Sequence, residues 1–328
     1  MSTEFLIQDN ITKKTFEVSD LVISPKLEQK LNDGCSKITF DILQDNIIKF
    51  SNGSVMRFKY NNTNMFYGYI FKKQRKSKDT INVIAYDQLR YLKAKDSMSL
   101  SNLDIAGIIR KIANIYGLRI GKLVSSKILP DRIEDNKTML DIIYNAISEN
   151  LKITGNKHVF YDDFGSLTLN NIYDMRTNIL IGDASNCIGY DLTQSIDDDT
   201  YNQIKLVSDN KETKKREVYI AKDSSKVVQW GLLQYFEKVD NMNYSQIVNK
   251  ANTILKTKNR EQLKLKLDSI GIESLRPGNS VFVKLSEIND VNIDNFFIIN
   301  KITHNFDKIY TISLELEMPS AEVLSWYD

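Results

Sequence analysis

The chain has 328 residues, of which 42% are hydrophobic and 26% are charged, a composition that excludes a disordered protein. Lysine and arginine total 44 against 42 aspartates and glutamates, so the net charge of +2 gives no overall attraction to nucleic acid or acidic membranes. Cys35 and Cys187 are too few for a disulfide framework, and with two histidines they do not form a zinc-binding pattern. The length predicts about two domains.

No targeting signal is visible in the sequence. Residues 1–9 lack the positive and apolar segments of a signal peptide. No apolar run approaches the roughly 18 residues that a membrane-spanning helix needs. We therefore expect a protein that has no membrane span and is made in a cytoplasm.

Residues 1–95 contain about six short strand patterns, which predict a small, closed or nearly closed β-barrel. One segment alternates apolar with polar residues and places Ile38, Phe40 and Ile42 on one face, the period of a half-buried strand. The dipeptide ending at Gly53 is a strong turn signal in front of the next strand.

Residues 96–190 predict a separate α+β unit of two helices and a hairpin. Ser101–Asp104 has the form of a capping box, which predicts a helix start. Apolar residues follow at helical spacing, and Gly117 is a natural stop for this helix. A second helix is predicted over roughly 137–150, and a hairpin follows it at 158–169.

Residues 191–328 predict a second β-barrel with a helix near 241–256. Extended segments are expected at 201–207, 216–220 and 227–232. The later segment 262–268 alternates strictly between polar and apolar residues.

One hairpin pattern occurs in both predicted barrels. Each copy has a glycine turn with a β-rich run, then an aromatic strand, then a strand that alternates apolar with polar residues. The first copy is Gly53–Tyr60, Met65–Phe71 and Thr80–Asp87, and the second is Gly278–Leu285, Asn295–Ile302 and Tyr310–Glu317. The predicted fold is therefore α+β, with two small tube-like barrels related by an internal pseudo-repeat and an α+β unit inserted between them. Residues 35–90 and 260–317 are expected to superpose.

Several segments, in this order and spacing, resemble the baseplate hub proteins of contractile phage tails, including the XkdQ-type hubs of PBSX-like prophages and VgrG-like hubs. The segments that carry the resemblance are Leu103–Ala113 with Tyr116–Leu118, Thr138–Tyr144, Phe160–Gly165, Asp223–Gly231, Gly278–Val283 and Ile299–His304. The family also includes the hubs of R-type bacteriocins and related injection machines.

The resemblance implies a structural protein without catalytic residues, cofactor or metal. It implies a homotrimeric ring that joins the sixfold tail tube to the threefold central spike. The implied partners are the tail tube protein, the central spike protein, other baseplate proteins and a tape-measure protein in the lumen. It also implies assembly into the baseplate of a phage tail or bacteriocin particle, with no membrane and no specific nucleic acid as partner.

A run of basic residues lies between two strands of the first hairpin copy. The residues are Lys72, Lys73, Arg75, Lys76 and Lys78. We interpret them as a loop that is a solvated hairpin tip or contacts an acidic protein surface. A contact with nucleic acid phosphates is the other interpretation, but no aromatic stacking series follows the run.

Other motifs favour structural roles over chemistry. Asp163-Phe164-Gly165 matches the kinase metal-binding tripeptide, but the accompanying kinase loops are absent from the sequence, so a hairpin turn is expected. His158 and His304 lie in predicted strands and are expected to be structural. Neither cysteine has the sequence context of a nucleophile.

Asp197-Asp-Asp199 lacks the ligand spacing and glycine of a calcium loop, which favours a solvated loop.

Two alternatives to the hub remain open from sequence. One is a tail-associated cell-wall hydrolase, because sequence alone does not exclude a suitable pair of carboxylates. The other is a nucleic-acid-binding barrel protein.

Overall fold

A computed structural model describes residues 2–44, 47–75, 77–197, 199–209, 215–240, 242–286 and 293–318. The chain divides into two bodies. The larger body contains the residues up to Tyr190 together with Lys266–Glu317, and the smaller body spans Asp191–Leu265. This division differs from the predicted domains 1–95, 96–190 and 191–328, because the last strands of the chain belong with the first ones.

The strands of the first half of the chain are β1 (Thr3–Gln8), β2 (Thr15–Glu17), β3 (Val22–Lys30), β4 (Lys37–Leu43), β5 (Val55–Tyr60), β6 (Thr63–Arg75), β7 (Thr80–Tyr86), β8 (Lys95–Leu100), β9 (Ile120–Leu123), β10 (Arg132–Thr138), β11 (His158–Asp162) and β12 (Leu167–Asn171). Those that follow are β13 (Arg176–Gly182), β14 (Cys187–Ser195), β15 (Gln203–Asp209), β16 (Arg216–Lys222), β17 (Gln234–Lys238), β18 (Gln262–Ile270), β19 (Ser280–Leu285), β20 (Ile293–Phe306) and β21 (Tyr310–Glu317). The helices are α1 (Ile105–Tyr116), α2 (Met139–Thr154), α3 (Ser224–Trp230) and α4 (Tyr244–Lys258).

Among the described residues, thirteen strands form one large sheet. Its path runs β14-β18-β21-β20-β3-β4-β7-β6-β5-β1-β2, and β19 pairs with both β20 and β13. The α+β class is confirmed. The two barrels are not confirmed, because strands of both predicted barrels join in this one sheet through the β20–β3 pairing, and the sheet is not closed.

The strands of the large sheet follow the sequence pattern. In β4 the side chains of Ile38, Phe40 and Ile42 are buried, as their alternation predicted. The buried faces carry an aromatic cluster in which Phe58 stacks on Phe5, with ring centroids 4.2 Å apart, and meets Phe306 edge-on at 4.7 Å. This cluster packs β1 and β5 against β20.

Helices α1 and α2 build the second core of the larger body, and their ends show how capping sets helix boundaries. The predicted cap at Ser101 is wrong: Asp104 is the N-cap, and its carboxylate accepts a hydrogen bond of 2.7 Å from the amide of Gly107. Gly117 ends α1 in the left-handed conformation, as predicted. Thr138 and Asp141 form a reciprocal capping box at the start of α2.

The smaller body contains the three-stranded sheet β16-β15-β17 with α4 packed against it. Its core includes Ile204, Leu206 and Ala251. The extended segment predicted at 227–232 is wrong over most of its length, because Asp223 caps the short helix α3 there. Helix α4 begins at Tyr244. The predicted start at 241 lies outside the described residues.

Candidate assembly surface

Two groups of four strands in the large sheet have the same order. The first motif is β4-β7-β6-β5. When its four strands are numbered in sequence order, the first pairs with the fourth, the fourth with the third, and the third with the second. In the second motif, β18-β21-β20-β19, the same relation holds. The third strand is the longest of its motif in both, with 13 residues in β6 and 14 in β20.

The two motifs also share their turn. Gly53 and Gly278 precede the second strands and have positive φ angles of +86° and +92°. The amide of Gly53 donates to the carbonyl of Ile70 at 2.7 Å, and the amide of Gly278 donates to that of Ile299 at 2.9 Å. In each motif the isoleucine amide donates back, at 2.9 Å, to the residue after the glycine.

A register shift follows at the same place in both motifs. The pairing of β6 with β7 shifts between Ile70 and Lys72, and the pairing of β20 with β21 shifts between Ile299 and Lys301. Each shift is a β-bulge, which bends the strand and redirects the residues after it. Counting from the bulge, Lys73 corresponds to Ile302, and two residues further on Arg75 corresponds to His304.

Beyond the bulge the motifs differ in what pairs with the free side of the long strand. In the second motif, Lys301–Asn305 pair antiparallel with Lys26–Lys30 of β3. In the first motif, β6 pairs with β5 only up to Tyr69, and within the described part of the chain Lys72–Arg75 pair with no strand except β7. We call Lys72, Lys73, Gln74 and Arg75 the basic edge.

The basic edge is a strand and not the loop expected from sequence, because β6 continues through Arg75. Its four side chains and that of Lys78 are exposed, whereas Ile302 and His304 are 0% exposed. Lys76 lies outside the described residues. Lys73 donates to the carbonyl of Phe50 and lies over its ring, 5.0 Å from the centroid.

Strand β14 is at one end of the large sheet and, within the described ranges, pairs only with β18. It contains one charged residue, Asp191. Ile188 is 58% exposed and Tyr190 is 45% exposed, so large apolar side chains remain in solvent on this terminal strand. The thiol of Cys187 has a raised pKa because of partial burial, which disfavours the reactive thiolate.

The remaining motifs have structural surroundings. Asp163-Phe164-Gly165 forms the turn between β11 and β12, as predicted, and Asp163 accepts a hydrogen bond of 3.1 Å from Arg276. Both histidines are buried: the Nδ1 atom of His158 is 3.2 Å from the Asn150 amide, and that of His304 is 2.7 Å from the Tyr310 hydroxyl.

Burial raises the pKa of Cys35 to about 11. Asp199 of the acidic run forms an ion pair with Lys258, and Asp198 lies outside the described residues. In the described ranges no cluster of three metal-ligating side chains occurs. None of the described helices is both long enough and apolar enough to cross a bilayer.

Sequence patterns did not identify two buried carboxylates, Asp87 and Asp162. Asp87 accepts amide hydrogen bonds from Ser36 at 2.7 Å and Leu89 at 3.0 Å, and Asp162 accepts from the Gln88 side chain at 2.6 Å. Burial, with the neighbouring charge of Asp162, raises the pKa of Asp87, and burial raises the pKa of Asp162 to about 6. Their hydrogen bonds fix the segment after β7 and the β11–β12 turn, so we assign them a structural role.

The fold is similar to those of solved phage tail proteins. The 43 kDa tail protein of prophage MuSo2 from Shewanella oneidensis has a similar fold, with a TM-score of 0.71 at 10% identity over 96% of this chain and 97% of that chain. The E. coli c3393 protein matches with a TM-score of 0.56 at 13% identity, over 92% of this chain and 74% of that one. It is described as a type VI secretion component similar in structure to the T4 tail proteins gp27 and gp5.

The chain belongs to the YQBQ-like family, whose sequence profile matches residues 26–317. The phage-like element PBSX protein XkdQ of Bacillus subtilis is 30% identical over 247 residues, which are 72% of this chain and 73% of that protein. The predicted resemblance to phage baseplate hub proteins is therefore confirmed. The similar structures are named as tail and secretion-system components, and the similarity shows that this chain has the fold of those proteins.

Proposed function

We propose that the protein is the hub of a contractile injection particle, a homotrimeric ring that joins the sixfold tail tube to the threefold central spike. The observation that carries this proposal is the pair of four-strand motifs within one chain, which share strand order, glycine turn and bulge. Three chains with two motifs each present six similar motifs. Such a ring offers near-sixfold symmetry to a tube while keeping the threefold symmetry of a spike.

In this proposal each motif forms one tube-like part of the ring wall, and the ring surrounds a lumen that admits the tape-measure protein or cargo. The chain is made in the bacterial cytoplasm and assembles there into a baseplate with the tube protein, the spike protein and other baseplate proteins. Its action is mechanical, because the ring passes a rearrangement of the baseplate to the tube and spike.

The exposed cations Lys72, Lys73, Arg75 and Lys78, with Lys76 in the same run, are proposed to contact protein and not nucleic acid. Four cations grouped on one exposed hairpin favour an acidic protein surface as partner, since such complementarity speeds association and selects the partner. The overall charge of +2 argues against general binding of phosphates.

Light scattering of the purified chain, alone and mixed with its tail tube and spike proteins, tests the proposal. We expect a mass of three chains, either alone or once the neighbours are present. A chain that stays monomeric in both conditions would exclude the trimeric hub. Purified cell walls should keep their turbidity when the protein is added, since no hydrolysis is expected.

A further inference from the structure

Strand β3 joins the two four-strand motifs within the chain. One edge of β3 pairs with β4 of the first motif, and its other edge pairs with the half of β20 that follows the bulge. The second motif thereby continues into the first without a break in the hydrogen-bonded sheet. At this junction the strand next to the first strand of one motif pairs with the long strand of the other motif.

Strand β14 occupies the position of β3 in the second motif. It lies beside β18 as β3 lies beside β4, at the outer side of the first strand of each motif. The ends of the two first strands correspond, because the residue after β4, Gln44, donates to Asp79, and the residue after β18, Gly271, donates to Tyr310, both at 2.8 Å. The amide of Ile270, at the end of β18, donates to Asn186 just before β14, at 3.0 Å.

The described part of the chain therefore has two unpaired strand edges, which correspond to the two sides of the β20–β3 junction. The basic edge of β6 corresponds to the half of β20 that is paired, and β14 corresponds to the strand that pairs with it. Within one chain these two edges belong to opposite motifs, and among the described strands neither edge has a partner.

We propose that β14 of one chain pairs antiparallel with the basic edge of β6 in the next chain and repeats the β20–β3 junction between molecules. This inference rests on the proposed hub function and names the surfaces that form the ring. Contact between two different edges is head-to-tail, and it closes into a ring when the rotation per chain fits. Backbone hydrogen bonds supply the attraction, as in other complexes formed by strand addition.

The side chains fit this partner. Lysine and arginine on an exposed strand edge oppose pairing with arbitrary strands, because an incoming strand must accept their charge. β14 has Asp191 and no basic residue, so it meets this requirement. Pairing would also place Ile188 and Tyr190, which are about half exposed on this terminal strand, beside side chains of the next chain.

A photo-cross-linking amino acid at Gln74, an exposed position of the basic edge, tests the pairing directly. A mixture of chains with normal and heavy nitrogen, in the oligomeric form defined by light scattering, reports cross-links between different molecules. We expect cross-linked peptides that contain residues of 187–195. The same probe at Thr15, on the terminal strand β2 at the other end of the sheet, is the control and should not reach β14.

A three-chain mass with Gln74 cross-links that map away from 187–195 would overturn this pairing and leave the hub function standing. A monomer in the presence of the tube and spike proteins would overturn both.

Charge reversal gives a second measurement. The double change Lys73→Glu with Arg75→Glu should raise the concentration for half-assembly roughly tenfold or more, since like charges would then oppose Asp191. The double change Lys13→Glu with Lys14→Glu, at exposed positions of the β1–β2 turn, alters the net charge equally and should leave assembly unchanged. Equal effects of the two double changes would contradict the proposed contact.

Discussion

The two four-strand motifs show how one strand pattern serves two environments. After the shared bulge, the second motif has Ile302 and His304 fully buried, while the first motif has Lys73 and Arg75 exposed. The difference lies in the neighbour of the long strand, since β3 covers β20 and no described strand covers the basic edge. The neighbouring strand therefore decides whether corresponding positions of the two motifs hold buried or exposed side chains.

The largest difference in the free energy of unfolding is expected at the corresponding positions Ile302 and Lys73. Ile302→Ala should lower the free energy of unfolding by about 2–5 kcal/mol, because it leaves a cavity in a packed core. The matched change Lys73→Ala should cost at most about 1 kcal/mol, since Lys73 is exposed and loses only its contacts with Phe50. Urea unfolding of both variants checks this. Similar losses at the two positions would show that the basic edge is not a free surface.

The second pair of positions predicts a pH effect. Burial, with the nearby charge of Arg276, lowers the pKa of His304 from 6.5 to about 3. Below pH 6.5 the unfolded chain binds a proton that folded His304 does not, so this group's contribution to stability falls as the pH falls towards 3. The loss is about 1.4 kcal/mol per pH unit.

His304→Gln removes this titration and keeps a polar side chain near Tyr310, so it isolates the contribution of His304. The stability difference between wild type and variant should shrink between pH 6 and pH 5, measured by chemical unfolding at each pH. The raised pKa values of Asp87 and Asp162 act in the opposite direction, but they are common to both proteins and cancel in this difference. A constant difference would mean that His304 is protonated in the folded chain.

The two glycine turns predict the smallest contrast. Alanine at either position is strained by the positive φ angle, at a cost of about 1–3 kcal/mol. At Gly278 the new methyl would also lie 3.0 Å from Val159 and 3.1 Å from Met175, whereas at Gly53 its nearest neighbour is the Asn10 side chain at 3.9 Å. Gly278→Ala should therefore cost about 1 kcal/mol more than Gly53→Ala. Thermal unfolding of the two variants measures the difference, and a larger loss at Gly53 would contradict it.

Local features of the fold were readable from the sequence because they depend on neighbouring residues. The alternation at Ile38, Phe40 and Ile42 gave a strand with the correct buried face. Gly117 gave the end of α1 because few residues adopt its left-handed conformation. The start of α1 was misplaced by three residues because Asp104 and not Ser101 supplies the cap. Helix α3 was missed because its capping residue, Asp223, outweighs the extended preference of its valines.

The candidate surface was readable only in part. The basic run was visible, but its strand conformation depends on pairing with β7, and its open side depends on which motif β3 joins. Such pairings connect residues far apart in the chain, and periodicity carries no information about them. The same limit applies to Asp87 and Asp162, which look like ordinary polar residues until the fold buries them together.

Electron microscopy of the assembled protein is the most decisive test of the trimeric hub, because it shows both the number of chains and the number of similar motifs around the axis. We expect a ring with threefold symmetry whose inner wall shows six similar parts, two from each chain. A ring built from six chains, or a two-chain assembly with a twofold axis, would contradict it.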